Sequence, residues 1–309
     1  MSWSPSAQIS VRIYAPDGNH KLISNNYGSS DLVFSDNNQS IKTPTLAYQL
    51  ESKNPIRYKI SFSGSDLVFD LSFESIAGGF QVNDGKTAFN VKDESYGYVK
   101  NWFVPKGKLT GFMNINGLEL DIQGSGSFVY AAQSKPQSVA RWNFVDFQSK
   151  SDALLLYQFE IPEYSEETGD ICSIDSGSVG CLIHNDQMES ITFKNYSIFE
   201  DSSNDSFSGY NIPKKITHVW NGETLTGKPI SVTMSLSLSN LVSKFDVLAE
   251  LPYLIRVFLQ TFITAPFVYQ WMEPTTISVE IDKEKFEISG TAFSEAAFMQ
   301  ELPMAKVSK

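Results

Sequence analysis

Cysteine is nearly absent: the 309 residues hold only Cys172 and Cys181. Two thiols allow one bridge at most and cannot supply a disulfide framework. If Ser176-Gly177 closes a two-residue hairpin, the pair face each other at a spacing a disulfide can span. A reducing compartment favours two free thiols instead. Histidine is almost as scarce, and none of His20, His184 and His218 has a partner at metal-ligand or triad spacing. No metal and no cofactor is expected. Positive charge is short as well: 24 Lys+Arg against 35 Asp+Glu leave a formal charge of -11. That field repels phosphate backbones and anionic lipid surfaces, so nucleic acid is not an expected partner. Long apolar runs are missing too. The longest uncharged stretch, Val257 to Met272, is broken by Gln260, Thr261, Thr264, Pro266 and Gln270, and falls short of the roughly 18 apolar residues of a membrane helix. Met1-Ser2-Trp3-Ser4-Pro5 has neither the basic nor the apolar region of a secretory signal, which makes the cytoplasm the expected location.

What the chain has in quantity is aromatic residues, 22 Phe, 13 Tyr and 5 Trp, the composition of half-buried pleated strands. Period-two alternation between Gly, Pro, Asn and Asp clusters marks strands at Ile9–Tyr14, Arg57–Phe62, Leu67–Phe73, Leu109–Ile115, Trp142–Phe147, Leu154–Phe159, Ile230–Leu238, Thr276–Ile281 and Phe286–Phe298. Asn116-Gly117, Asn83-Asp84-Gly85 and Asp282-Lys283 supply turn chemistry between such runs. The fold class is mainly β. One segment differs: Phe245, Leu248, Leu251, Ile255, Phe258, Leu259 and Phe262 recur at helical spacing, which predicts one helical segment over about 241–264, capped by Ser239 or Asn240 and kinked at Pro252. The hairpin arm Leu118–Gly124 with Phe128–Ala132 recurs as Phe286–Gly290 with Phe293–Ala297, which suggests two β domains, 1–149 and 150–309.

Chemistry is thinly marked. Gly79 to Thr87 mimics a phosphate loop but is one residue too long and sits in hairpin context. Asp201 to Asp205 lacks the glycine and distal glutamate of a calcium loop. Asp246, Glu250 and Glu295 are the acids best placed to be buried, yet no third group completes a mechanism, so structural use is the simpler reading. The aromatic residues on strands are the remaining signal. Trp142 and Phe144 share a face, and with Trp102 and Tyr130 they are the candidate lining of a cavity for an apolar ligand. The alternative use of the same rings is simply to fill the core.

Six ordered segments are familiar together. They are Gly79-Phe80-Gln81-Val82 with Asp84-Gly85; Trp102-Phe103-Val104-Pro105; Arg141-Trp142-Asn143-Phe144-Val145-Asp146-Phe147-Gln148; Asp246 to Pro252; Pro266 to Trp271; and Gly290-Thr291-Ala292-Phe293 with Glu295-Ala296-Ala297-Phe298. In that order the chain resembles the survival factor 1 family of fungi. The resemblance implies two consecutive lipocalin-like antiparallel β-barrel domains, remotely similar to the carotenoid hydratase fold. It also implies a role in survival under oxidative stress through binding or shuttling a sphingolipid such as ceramide. Tyr130 stands where the family usually has histidine, and Gln137-Ser138 where it has a histidine pair, so a non-enzymatic paralogue is expected in place of a hydratase-like enzyme acting on a polyene or hydroxylated lipid. A filled-barrel interaction module is the third reading. Gln8 to Tyr14 resembles a strand well inside the family's first domain. The expectation that follows is a chain without the leading strands and amphipathic N-terminal helix, and hence without strong peripheral membrane contact.

Overall fold

The computed structural model describes residues 6–15, 20–35, 39–90, 95, 97–135, 139–164, 171–249 and 266–299. Antiparallel strand dominates them, as the alternation predicts, and the chain divides into two compact units: 1–79 with 106–128, and 80–105 with 129–309.

In the first unit β1 (Ser6–Tyr14) and β2 (His20–Gly28) form a hairpin. An eight-stranded sheet contains β3 (Val33–Phe34), β4 (Ile41–Lys42), β5 (Leu46–Lys53), β6 (Ile56–Ser63), β7 (Leu67–Ser75), β8 (Lys86–Ala88), β9 (Tyr98–Ile115) and β10 (Leu118–Gln133), of which β8, residues 98–105 of β9 and residues 129–133 of β10 belong to the second unit. Its order is β10-β9-β7-β6-β5-β4-β3, with β8 on β9, and it curls into a half-barrel. Phe62, Leu67, Phe69 and Leu71 are buried in one cluster, and Tyr48, Tyr58 and Phe128 stack beside one another. The turn at Asn116-Gly117 takes positive φ at both residues (52° and 87°), the geometry that matches a tight hairpin to strand twist.

The second unit carries a ten-stranded sheet built from β11 (Arg141–Gln148), β12 (Ala153–Tyr164), β13 (Ile171–His184), β14 (Gln187–Thr192) and β15 (Lys194–Glu200). After the small hairpin β16 (Ser203–Asn204) and β17 (Asn211–Ile212) it continues with β18 (Lys215–Glu223), β19 (Pro229–Ser237), β20 (Leu241–Asp246), β21 (Phe267–Ile281) and β22 (Glu284–Phe298). The order β14-β13-β12-β11-β22-β21-β19-β18-β15, with β20 on β21, makes a nearly closed barrel. Its two ends approach through the Ser190–Thr224 bridge and through Ser178 Oγ, which donates to Phe193 O and accepts from Asn195 N. Alternation decides what points inward. Val145 and Phe147 of β11, Leu154 and Leu156 of β12, Trp220, Val232, Met234, Ile277 and Ala292 join one fully buried cluster, so this end of the barrel is filled. The position between 149 and 150 lies in the turn joining β11 to β12, which pair along their length.

Two expectations change here. Residues 241–246 are strand, not helix: β20 lies along β21, with Lys244 opposite Tyr269 and Asp246 opposite Phe267. Phe245 and Val247 pack against the cluster containing Trp142 and Val268, so the period-two set won over the helical one because β21 offers a pairing edge there. Ser239 and Asn240 do not cap a helix; their backbone N–H groups donate to Glu273 at 2.6 Å each. The rest of the expected helix, 250–264, lies outside the described residues. Nor does Ser176-Gly177 form a turn. Cys172 and Cys181 occupy one continuous strand, β13, opposite Glu163 and Leu155 of β12 respectively, which excludes a bridge between them. Cys181 is buried and its thiol is pushed up by that burial.

The turn after β11 is held by Asp152. Its carboxylate accepts from Ser149 Oγ (2.9 Å), Ser151 Oγ (3.0 Å) and Asn185 N (3.2 Å), and meets His184 Nδ1 at 2.7 Å. Burial alone would raise its pKa, but the Asn185 N–H, Ser149, His184 and Ser151 bonds outweigh that and hold it below 3.8. A depressed carboxyl stabilises the fold above its unfolded value and loses that contribution as pH falls through the folded one. Asp152→Asn is therefore expected to lower Tm at neutral pH and to flatten the loss of Tm below about pH 4. Melting curves across pH 2–7 that run parallel in wild type and variant would refute this account of the turn.

Candidate functional site

Opposite the barrel interior, the outward face of β11 and β12 is also apolar. The unbroken run Leu154-Leu155-Leu156-Tyr157 belongs to a strand covered on both sides. Leu154 and Leu156 enter the barrel core, while Leu155, Tyr157 and Phe159 face away from it. Phe80, Phe89 and Phe103 of the same unit cover them: Phe80 and Phe103 pair through a backbone bridge, their rings 5.2 Å apart, and Phe103 lies 5.9 Å from Tyr157. Phe89 meets Phe159 edge-on at 5.3 Å and Trp142 at 5.9 Å. Trp142 in turn packs on Tyr157 (5.3 Å) and Phe159 (5.4 Å).

Between these layers lies a cleft of about 90 Å³. Val82, Val99 and Phe103 form one wall; Tyr157, Phe159, Val179 and Phe193 form the other. Gly177 is required at its floor, because a Cβ there would come within 2.6 Å of the Phe159 ring. Phe193 is 56 % exposed and leaves that wall open to solvent. Asn101 also lines the cleft; its amide nitrogen is buried and makes no well-formed hydrogen bond, its interaction with the Tyr157 hydroxyl being a loose one. Beside it the Tyr157 hydroxyl is kept protonated, raised by burial, eased by the Asn101 side chain and raised again by the Glu295 carboxylate. The result is a mostly apolar slot whose polar groups, the Asn101 amide, the Tyr157 phenol and the Thr87 and Ser178 hydroxyls, are all neutral, a lining suited to an uncharged amphiphile and hostile to an ion.

The residues expected to line a cavity are dispersed. Trp142 is buried in the aromatic layer behind the cleft, and Phe144, half-buried, packs beside Phe80, Phe103 and Leu155. Trp102 occupies the alternate face of β9 from Asn101 and Phe103. Tyr130 is 50 % exposed on β10. Among the acids, Asp246 accepts the Leu248 N–H at 2.8 Å and so closes a turn, and Glu295 accepts from Gln270 Nε2 at 2.6 Å. Glu250 lies outside the described residues. Asn101, Tyr157 and Phe159 were missed, although alternation places Asn101 and Phe103 on one face and the four-residue apolar run flags Tyr157's strand.

The family model described as the Svf1 family matches residues 1–300. A curated relative from Emericella nidulans, named ceramide-binding protein svf1, is 27 % identical over 275 residues, 86 % of this chain and 70 % of its own. Two solved structures share the architecture. A protein of Nitrosomonas europaea assigned as an AttH superposes with a TM-score of 0.59 at 12 % identity, covering 96 % of this chain and 81 % of that one. Kievitone hydratase of Nectria haematococca superposes with a TM-score of 0.53 at 9 % identity, covering 96 % and 85 %. At such identities the likeness carries the fold and not the chemistry. The match over nearly the whole chain decides the family: this protein belongs to the Svf1 family.

Proposed function

We propose that the protein is a non-enzymatic lipid binder that takes up an uncharged sphingolipid of the ceramide type, and that the cleft at Asn101, Tyr157 and Phe159 holds part of it. The observation that carries the reading is the buried Asn101 amide nitrogen, left without a well-formed hydrogen bond in a mostly apolar slot. An unmade bond on a buried donor costs about 1–3 kcal/mol, and a lipid amide or hydroxyl oxygen removes that cost. The relative's printed name, ceramide-binding protein, points to the same ligand class. About 90 Å³ is well below the roughly 300–1,000 Å³ of a full small-molecule site, so the slot holds the polar link and a short length of chain while the remainder passes out beside Phe193. Trp142 and Phe144 then act as the rigid backing of the slot. The negative charge disfavours anionic lipids, and the acids Asp246 and Glu295, each engaged in a structural hydrogen bond, supply no base for turnover. The setting that fits is cytoplasmic lipid handling under oxidative stress.

The test is a titration of the full chain with N-hexanoylsphingosine, followed by tryptophan fluorescence, alongside mass spectrometry of lipid carried through purification. Asn101→Leu is expected to weaken binding about tenfold, the worth of one hydrogen bond. Absence of any bound lipid on wild-type protein, together with a flat titration, would sink the proposal. Product formation from the added lipid would replace binding with catalysis.

A further inference from the structure

Inside the second unit's barrel one layer of the interior is polar. On β11, Asn143 lies between inward-facing Arg141 and Val145; on β12, Gln158 lies between Leu156 and Glu160; on β18, His218 lies between Ile216 and Trp220. Asn143 is 1 % exposed, Gln158 2 % and His218 0 %. They are joined by hydrogen bonds. Asn143 Nδ2 donates to Gln158 Oε1 at 3.2 Å, and Ser197 Oγ donates to the same oxygen at 2.7 Å. Ser197 Oγ also meets His218 Nδ1 at 2.8 Å.

The direction of these bonds fixes what the chain lacks. A serine hydroxyl has one proton, and Ser197 gives it to Gln158, so His218 Nδ1 must be the donor in the remaining bond. The imidazole is neutral, its pKa lowered by burial to about 3, and a neutral ring with its proton on Nδ1 has a bare lone pair on Nε2. Nε2 is buried without a partner, and so is Asn143 Oδ1 at the other end of the chain. Both ends are acceptors, so neither satisfies the other. Ser294 Oγ, on the same inward face of β22 between Ala292 and Ala296, is a third buried polar atom without a partner.

We infer that this layer is a second binding site, distinct from the outward cleft, for a neutral guest that brings hydrogen-bond donors: a short amphiphile carrying hydroxyl or amide N–H groups. Three buried, unpartnered polar atoms on one inward face cost more than a folded protein leaves uncompensated. Two acceptors and one hydroxyl suit a guest with two donors. They reject a carboxylate or a phosphodiester, which brings none. The small side chains of Ala292, Ser294 and Ala296 form the β22 side of the layer.

The inference stands apart from the lipid reading, and its test uses different probes. Full-length protein labelled with ¹⁵N-histidine has three imidazoles, and His20→Gln and His184→Gln assign the third to His218. Hexane-1,2-diol and hexanamide are expected to move the His218 Nε2 resonance upfield, as an accepted hydrogen bond does. Hexanoate and 1,2-dimethoxyhexane, which carry no donor, are expected to leave it in place. Asn143→Leu should weaken the diol response about tenfold. If no probe moves the resonance, water alone occupies the layer and the amphiphile site is overturned. If the diether moves it as far as the diol, donor recognition is overturned. Neither result bears on ceramide binding at the cleft, which tryptophan fluorescence reads separately.

Discussion

Trp220→Ala is expected to destabilise the second unit by about 3–5 kcal/mol, the usual cost of emptying a buried tryptophan site. Trp220 is 1 % exposed in the cluster that fills the barrel, and its indole N–H donates to Leu155 O at 2.9 Å. The truncation removes the ring contacts and the indole hydrogen bond at once. Gly180 tests the same packing from the other side. A Cβ at Gly180 would stand 2.2 Å from Trp220 Cδ1, closer than any real contact, so Gly180→Ala must displace the ring or the strand. About 1–3 kcal/mol follows from overpacking. The two changes share their closest contact and should not be additive: with the indole gone, Gly180→Ala ought to cost less, the 2.9 Å approach to Thr192 Oγ1 being what remains. Urea unfolding followed by circular dichroism measures all three variants. A loss under about 1 kcal/mol for Trp220→Ala would mean that the barrel end is not packed as described.

How much of this was readable in advance depends on which force decides each element. Strands at Arg57–Phe62, Leu67–Phe73, Trp142–Phe147 and Ile230–Leu238 fall within β6, β7, β11 and β19, because one buried face imposes strict alternation. The turns at Asn116-Gly117 and Asp282-Lys283 adopt positive φ as their chemistry predicts, although Lys283 (φ 76°) is not a usual residue for it. Residues 241–246 misled because Phe245 and Leu248 satisfy a helical stripe, while the pairing edge of β21 is set by residues far along the chain. The sites were harder still. Trp142 and Phe144 do share a face, as alternation requires, but Trp142's ring partners Phe89, Tyr157 and Phe159 come from three separate segments. His218 shows no local sign of function, since Ser197, Gln158 and Asn143 reach it only through strand pairing. Asn101 was invisible for the complementary reason: its distinguishing property is a buried amide nitrogen without a well-formed hydrogen bond.

Glu160→Ala is expected to cost about 3–5 kcal/mol, whereas replacing Arg141 and Glu160 together by methionine should cost far less. The two residues stand directly opposite in the β11–β12 register. Arg141 Nη2 donates to both carboxylate oxygens, at 2.5 and 2.7 Å, and Nε donates at 3.0 Å. The guanidinium also lies 4.1 Å over the Phe199 ring. The side chains are 21 % and 7 % exposed, so the pair has surrendered most of its hydration. Removing Glu160 alone leaves a largely desolvated cation beside the polar layer of Asn143 and Gln158, its charge no longer compensated by the carboxylate. Removing both charges also removes the desolvation cost, and two methionines of similar length can fill the space against Phe199 and Phe298. The double-mutant cycle, read by urea unfolding, should therefore give a strongly favourable coupling with a small net effect. A double variant as unstable as Glu160→Ala would assign the ion pair a net stabilising role. A stable double variant would also test function directly: Arg141 and Glu160 flank Asn143 and Gln158 on the inward faces of their strands. Loss of the diol response there, with ceramide binding at the cleft intact, would place the pair's purpose in orienting the interior hydrogen-bond chain.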